Sequence, residues 1–168
     1  MNRTTDGKEP AMKPLVVFYS RTGSTKQVGE ALAQTLNCDS EELVDTKKRS
    51  GPLGYVRAGK DAQAKTLTTL ADIKHDPSAY DLVILGTPIW ARTLSSAMRT
   101  YITNNKSKFK RVAFFCTQGG TENQQLFDEM EALCERHPVN VLALLEKEVK
   151  EGAYQEKIHQ FADGLSAP

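Results

Sequence analysis

Residues 16–25 read Val-Val-Phe-Tyr-Ser-Arg-Thr-Gly-Ser-Thr, and they constrain the chain more than any other stretch. A run of β-branched and aromatic residues, the types that favour strands, stops at hydroxyls and a glycine. From Lys26 onward the period changes. Val28, Ala31, Leu32, Thr35 and Leu36 follow the i, i+3, i+4, i+7, i+8 spacing of a helix face. The pattern is strand, tight turn, helix. Ser20, Thr22, Ser24 and Thr25 put four hydroxyls into six residues around Gly23. A turn that opens a helix exposes unpaired backbone N–H groups at the positive end of the helix dipole. Hydroxyls and N–H groups converging there suit a phosphate. One Ser or Thr would need no more than an N-cap role; four point to an anion site.

Better-known phosphate loops do not fit this spacing. Gly-x-Gly-x-x-Gly is absent, which excludes a Rossmann dinucleotide fingerprint. Gly-x-x-x-x-Gly-Lys-Ser/Thr is absent as well, and no cysteine lies in the turn. Ser20-Arg21-Thr22-Gly23-Ser24-Thr25 instead resembles the FMN-phosphate loop of flavodoxins, whose pattern is like Ser/Thr-x-Thr-Gly-x-Thr.

The rest of the chain fits one domain over residues 14–168, after a polar leader, residues 1–13, that lacks the apolar core of a signal peptide. Its 168 residues are enough for one proper core. A net charge of +1 gives no electrostatic reason to expect nucleic acid as a partner. No apolar stretch approaches the ~18 residues a membrane span needs. Cys38, Cys116 and Cys134 are widely spaced and form no Cys-x-x-Cys, so a reduced, cytoplasmic setting is expected and no metal.

Residues 15–19 form the first strand, and a weak second strand is expected over residues 41–44, with a start open back to Cys38. Residues 47–77 are the least readable. Gly51-Pro52, Gly54 and Gly59 punctuate them, a helix is expected over residues 61–71, and residues 47–65 hold six bases and one acid. Tyr55 and Arg57 lie between the glycines, where a loop could fold over a ligand as a lid. Residues 81–86 form a continuous apolar strand of the kind covered on both faces. Thr87-Pro88-Ile89-Trp90 is expected as a loop, followed by a helix over residues 94–104. Residues 111–116 form the next strand, ending at Thr117-Gln118-Gly119-Gly120. Thr121, with Gln124 three residues on, reads as a capping box. A fifth strand over residues 139–145 and an amphipathic helix bearing Tyr154, Ile158, Phe161, Ala162 and Leu165 close the chain. Strands alternating with helices give an α/β fold: a doubly wound, five-stranded parallel sheet with helices on both faces.

Ligands of such sheets bind beyond the carboxyl ends of the strands. Three loops leave those ends with unusual composition, at residues 20–25, 87–90 and 117–120. Trp90, the single tryptophan, offers a wall for a flat ring, and Gly119 and Gly120 let backbone N–H groups approach closely. Together the loops resemble the flavodoxin family along nearly all of residues 13–165. That resemblance implies strand order 2-1-3-4-5 and FMN as cofactor. It implies that Ser20, Arg21, Thr22, Gly23, Ser24 and Thr25 surround the phosphate. Thr87, Pro88, Ile89 and Trp90 would border the isoalloxazine, and Thr117, Gln118, Gly119 and Gly120 its pyrimidine edge. Flavodoxins that carry electrons are typically strongly acidic, unlike this chain. The third loop also lacks the tyrosine that many of them stack on the outer ring face, which leaves that face to a substrate or to Tyr55.

The resemblance implies an electron-transfer role with a redox partner protein or a small acceptor. An FMN-dependent NAD(P)H or quinone-type reductase is the alternative, and a flavin-free interaction domain is the alternative of another class. A receiver-type signalling domain needs an Asp at the end of the third strand and acids after the first, where Gly86 and Ser20 stand. His75, His137 and His159 lie outside the three loops and supply no evident general acid or base.

Overall fold

A computed structural model describes residues 11–47, 51–120 and 122–166. The parallel strands are β1 (Pro14–Phe18), β2 (Asp39–Glu42), β3 (Leu82–Trp90), β5 (Arg111–Gln118) and β6 (Val141–Leu145). They lie in the order β2-β1-β3-β5-β6, which is the expected 2-1-3-4-5. A two-residue strand, β4 (Thr93–Leu94), turns back antiparallel on the end of β3. Helices α1 (Ser24–Leu36), α5 (Glu146–Lys150) and α6 (Gln155–Gly164) cover one face of the sheet. Helices α2 (Gly51–Gln63), α3 (Ser96–Asn105) and α4 (Gln124–Cys134) cover the other.

The alternation of side chains along each strand builds two cores. Val16, Phe18, Ile84 and Phe115 meet Val28 and Leu32 of α1 and Ile158 and Phe161 of α6. Leu15, Val17, Val83, Leu85 and Phe114 meet Met98 and Tyr101 of α3 and Leu126 and Met130 of α4. β1 and β3 sit centrally, covered on both faces, which is why they read as unbroken apolar runs. Gly86 of β3 fits beside the ring of its β5 partner Phe115 because it has no side chain: a Cβ there would come within 1.9 Å of that ring.

Strand β2 is a polar edge, Asp-Ser-Glu-Glu, and it is held by hydrogen bonds more than by apolar burial. Buried Glu41 accepts from the Lys74 and His75 N–H groups, each at 2.9 Å, and lies 2.8 Å from His75 Nδ1. Residues 69–71 run beside residues 44–46, with Ala71 N–H on the Val44 carbonyl and Thr46 N–H on that of Thr69. This returning segment blunts the edge.

Four expectations need correction. The helix of the unreadable segment is α2, Gly51–Gln63, ten residues earlier than residues 61–71. Residues 87–90 are not a loop but the end of β3, and Pro88 still pairs with Thr117. The second strand starts within the expected range but ends at Glu42, two residues before Val44. Helix α4 begins at Gln124 with Asn123 at its N-cap and no side-chain cap bond; Thr121, the expected cap, lies outside the described residues. Residues 1–10 of the expected leader also lie outside them. Met12 packs against the core under α1 and α6, and Lys13 N–H donates to Asp81 at 2.9 Å.

Candidate functional site

At the carboxyl end of the sheet a cleft of about 560 Å³ opens between the turn after β1, helix α2, the end of β3 and the end of β5. Arg21, Thr22 and Thr25 form one end. Pro88, Ile89, Trp90 and Gly119 form its floor, and Tyr55, Val56, Gly59, Lys60 and Gln63 of α2 form the opposite wall. The Ile89–Gly119 side continues into a shallower cleft of about 430 Å³ that includes Gln118, Gly120, Arg92 and Glu122.

The β1–α1 turn is shaped for an anion. Gly23 sits at φ +103°, in the left-handed region that side chains avoid, and has nothing within 4 Å of where a Cβ would be. Its N–H donates to Ser20 Oγ at 3.1 Å, closing the turn. No side chain caps α1, so its first N–H groups face outward beside the exposed Thr22. The four hydroxyls divide their work. Thr22 is exposed, whereas Ser24 and Thr25 are buried. Thr25 Oγ1 shares a 2.7 Å hydrogen bond with Thr117 Oγ1 and ties the turn to the end of β5. Thr117, expected at a ring edge, is buried, lines neither cleft, and braces the turn through its hydroxyl.

Thr87 is likewise internal. Its hydroxyl donates to the Pro88 carbonyl at 2.9 Å and accepts from the Ser95 N–H at 3.1 Å. It ties β3 to the start of α3 and lines neither of the two clefts. Trp90 both packs and lines. It is 9% exposed, meets Tyr19 edge to face at 5.4 Å, and still contributes to the cleft floor. Ala91 and Arg92, at φ +48° and +67°, make the two-residue turn between β3 and β4. Both central residues of such a turn require positive φ, at a cost of about 1–2 kcal/mol each for residues other than glycine.

A buried cluster holds that strained hairpin. Arg99 Nη2 donates to Glu129 Oε1 at 2.8 Å and to Thr93 Oγ1 at 3.0 Å. The Thr93 hydroxyl donates to the other Glu129 oxygen, and Lys65, just past α2, lies 3.1 Å from Glu129. Burial alone would raise the Glu129 carboxyl. Hydrogen bonds from Thr93, Arg99 and Lys65 outweigh it and leave the group below the usual carboxylate range.

Two buried polar atoms at the rims have no partner among the described residues: Arg21 Nε, a donor, and Gln118 Oε1, an acceptor. Buried polar groups are normally satisfied, and these two flank the clefts. Of the expected lid pair, Tyr55 lines the cleft and Arg57 does not. The cleft also contains Lys60 of α2 and groups that the sequence reading missed: Val56, Gly59 and Gln63 of α2, Ala91, and Glu146 at the start of α5. The signal for Glu146 was its place just beyond the fifth strand.

The family model described as Flavodoxin matches residues 13–160. The chain belongs to the flavodoxin family. Among solved structures, this flavodoxin-family chain is similar to a flavoprotein of Lactobacillus acidophilus in complex with FMN. That pair is 20% identical with a TM-score of 0.70, covering 85% of this chain and 99% of that one. It is similar to a flavoprotein of Bacteroides uniformis at 19% identity and a TM-score of 0.73, covering 92% and 99%. It is also similar to the two-electron reduced flavodoxin of Megasphaera elsdenii, at 16% identity and a TM-score of 0.57, covering 91% and 99%. No curated protein matches the chain. Among the described residues, no helix is long and apolar enough to cross a membrane.

Proposed function

We propose that this flavodoxin-family protein binds FMN in the cleft and transfers electrons through it. The observation that carries the reading is the pair of unsatisfied buried atoms. Arg21 Nε is a donor beside a turn that presents N–H groups and the Thr22 hydroxyl, the donor set a phosphate takes. Gln118 Oε1 is an acceptor at the other rim, suited to a ring N–H. Between them lie Pro88, Ile89 and Trp90 on one side and Tyr55 on the other, two surfaces that suit a flat aromatic system. One phosphate turn is present, which matches a mononucleotide.

In this reading Thr22, Arg21 and the first N–H groups of α1 hold the phosphate. Thr25 and Thr117 hold the turn in place against β5, and the Thr93–Glu129–Arg99 cluster holds the hairpin that presents Trp90. Helix α2 excludes water from the outer ring face. When bound, the flavin supplies the electron chemistry; the chain supplies position and charge. Lys60 favours a negatively charged reduced ring, and Glu146 opposes it. The cationic lining favours a reductase acting on a small acceptor or partner protein over a low-potential carrier.

Absorbance of the purified protein and mass spectrometry of the released cofactor test the reading. A yellow protein releasing one FMN per chain is expected. Release of FAD, or no flavin uptake on mixing with FMN, overturns it.

A further inference from the structure

Helix α2 is amphipathic the wrong way round. The residues it buries are Gly54, Ala58 and Ala62, while Leu53 is 87% exposed, Tyr55 62% and Val56 52%. A helix that only completed its own core would turn the large apolar residues inward. Scattered exposed apolar residues are ordinary; here Leu53 and Val56, three apart, share one face with Arg57 and Lys60, and Tyr55 flanks that face on the cleft side. Val44, 55% exposed, extends it, since it lines a shallow cleft with Gly51, the first residue of α2. On the helix itself this face carries one sign of charge, while the Val44 side also holds Asp45 and Glu42, the latter paired with Lys26. Arg57 and Lys60 are exposed, and neither pairs with a carboxylate among the described residues. Residues 47–65 carry six bases and one acid in a chain whose net charge is only +1. Tyr55 and Val56 also line the cleft, so whatever sits on the face sits at the cleft mouth.

We propose that the outer face of α2 is the docking surface for an electron-transfer protein whose own docking face is apolar at the centre and rimmed by carboxylates. This rests on the flavin reading only for what passes between the two, not for the contact itself. A second copy of this chain fits poorly, because a two-fold interface would set Arg57 and Lys60 against their own copies. An anionic bilayer fits poorly too. The exposed apolar residues occupy a narrow part of a 13-residue helix that contains three glycines, whereas interfacial helices present a wide apolar face.

The test uses an acidic plant-type [2Fe–2S] ferredoxin as probe. Fluorescence anisotropy of labelled, oxidised ferredoxin measures docking on both FMN-loaded and flavin-free full-length protein. Stopped-flow absorbance then follows electron transfer: two reduced ferredoxins give one electron each, and one proton comes from water, to leave one bound flavin fully reduced and anionic. The variants are Arg57→Glu and Leu53→Ser, neither of which lines the cleft. Binding and rate are expected to fall as salt rises, and the double variant to lose about 10-fold in both at low ionic strength while keeping its flavin. Wild-type binding that is salt-independent, variants that bind and react like wild type, or faster reaction with the basic cytochrome c would overturn the proposal. So would a dimer, or co-sedimentation with phosphatidylglycerol vesicles, that the double variant abolishes. Failure to take up FMN is seen separately, and the anisotropy on flavin-free protein still decides the docking claim.

Discussion

The guanidinium carbon of Arg21 lies 5.1 Å from the centre of the Tyr55 ring. This cation–π contact joins the phosphate turn to a helix otherwise held by Gly54, Ala58 and Ala62. Interior glycines weaken a helix by about 1 kcal/mol each, so α2 is poorly supported by its own sequence. A phosphate that fixes Arg21 also fixes the partner of Tyr55. FMN is therefore expected to slow amide exchange across residues 51–63 more than riboflavin does. Tyr55→Ala should abolish the difference between the two ligands. Equal exchange with FMN, riboflavin and no ligand, read by hydrogen-exchange mass spectrometry, would mean that α2 does not respond to the phosphate.

Thr22 and Thr25 are expected to behave differently despite their shared place in the turn. Thr22 is exposed and free to meet a phosphate, and a lost hydrogen bond to a charged group costs about 1.5–3 kcal/mol. Thr22→Ala should weaken FMN roughly 10-fold or more and leave riboflavin affinity and melting temperature nearly unchanged. Thr25→Ala instead strands the buried Thr117 hydroxyl, so it should lower thermal stability even without ligand, and affect both flavins. Isothermal titration beside calorimetric melting separates the two patterns; matching behaviour of the two variants would refute the division.

The turn and its strand were legible because the change of period, the hydroxyls and Gly23 all agree at residues 16–25. Helix α2 was not, because Gly51, Pro52, Gly54 and Gly59 are loop signals, and the stripe it buries contains no large apolar residue. The reading of residues 87–90 failed for a related reason. Gly86 and Pro88 look like breakers, yet Gly86 makes room for Phe115, and Pro88 sits near the end of the ladder where a missing N–H matters least. The hairpin after Trp90 gave no warning at all: its turn residues are Ala91 and Arg92 rather than Asn or Gly, and distant contacts to Arg99 and Glu129 hold it. Tertiary pairing of that kind leaves no local trace.

That cluster makes a pH prediction. The folded Glu129 carboxyl is held below its unfolded range, so its contribution to stability is present above the unfolded value and is lost as pH falls through the folded one. Glu129→Gln leaves the buried Arg99 guanidinium without its counter-charge, at a cost of about 3 kcal/mol near neutral pH. Denaturant midpoints of wild type and variant should converge as pH drops below the carboxylate range. A gap that stays constant from neutral to acid pH would show that packing, not charge, sets the loss.

Glu146 is the carboxylate that the cleft admits, against Arg21 and Lys60. Full reduction of a flavin leaves a negative charge on the ring, which neighbouring carboxylates oppose and cations favour. One unit charge about 8 Å away, at an effective dielectric of about 20, is worth roughly 2 kcal/mol. For a one-electron step, ~1.4 kcal/mol corresponds to about 60 mV, so each such charge shifts the potential by roughly 90 mV, less where water screens it. With Arg21 engaged by the phosphate, Lys60 offsets the one carboxylate, and the second one-electron potential should lie above that of flavodoxins whose flavin is ringed by acids. The two one-electron potentials then approach each other, which favours two-electron traffic. Glu146→Gln should raise the second potential by up to about 90 mV, and Lys60→Gln should lower it by a similar amount. A photoreduction titration against redox dyes reads both. If neither substitution moves the potential, the charges of the cleft do not govern the flavin, and a second potential as low as in acid-lined flavodoxins would return the protein to the carrier role.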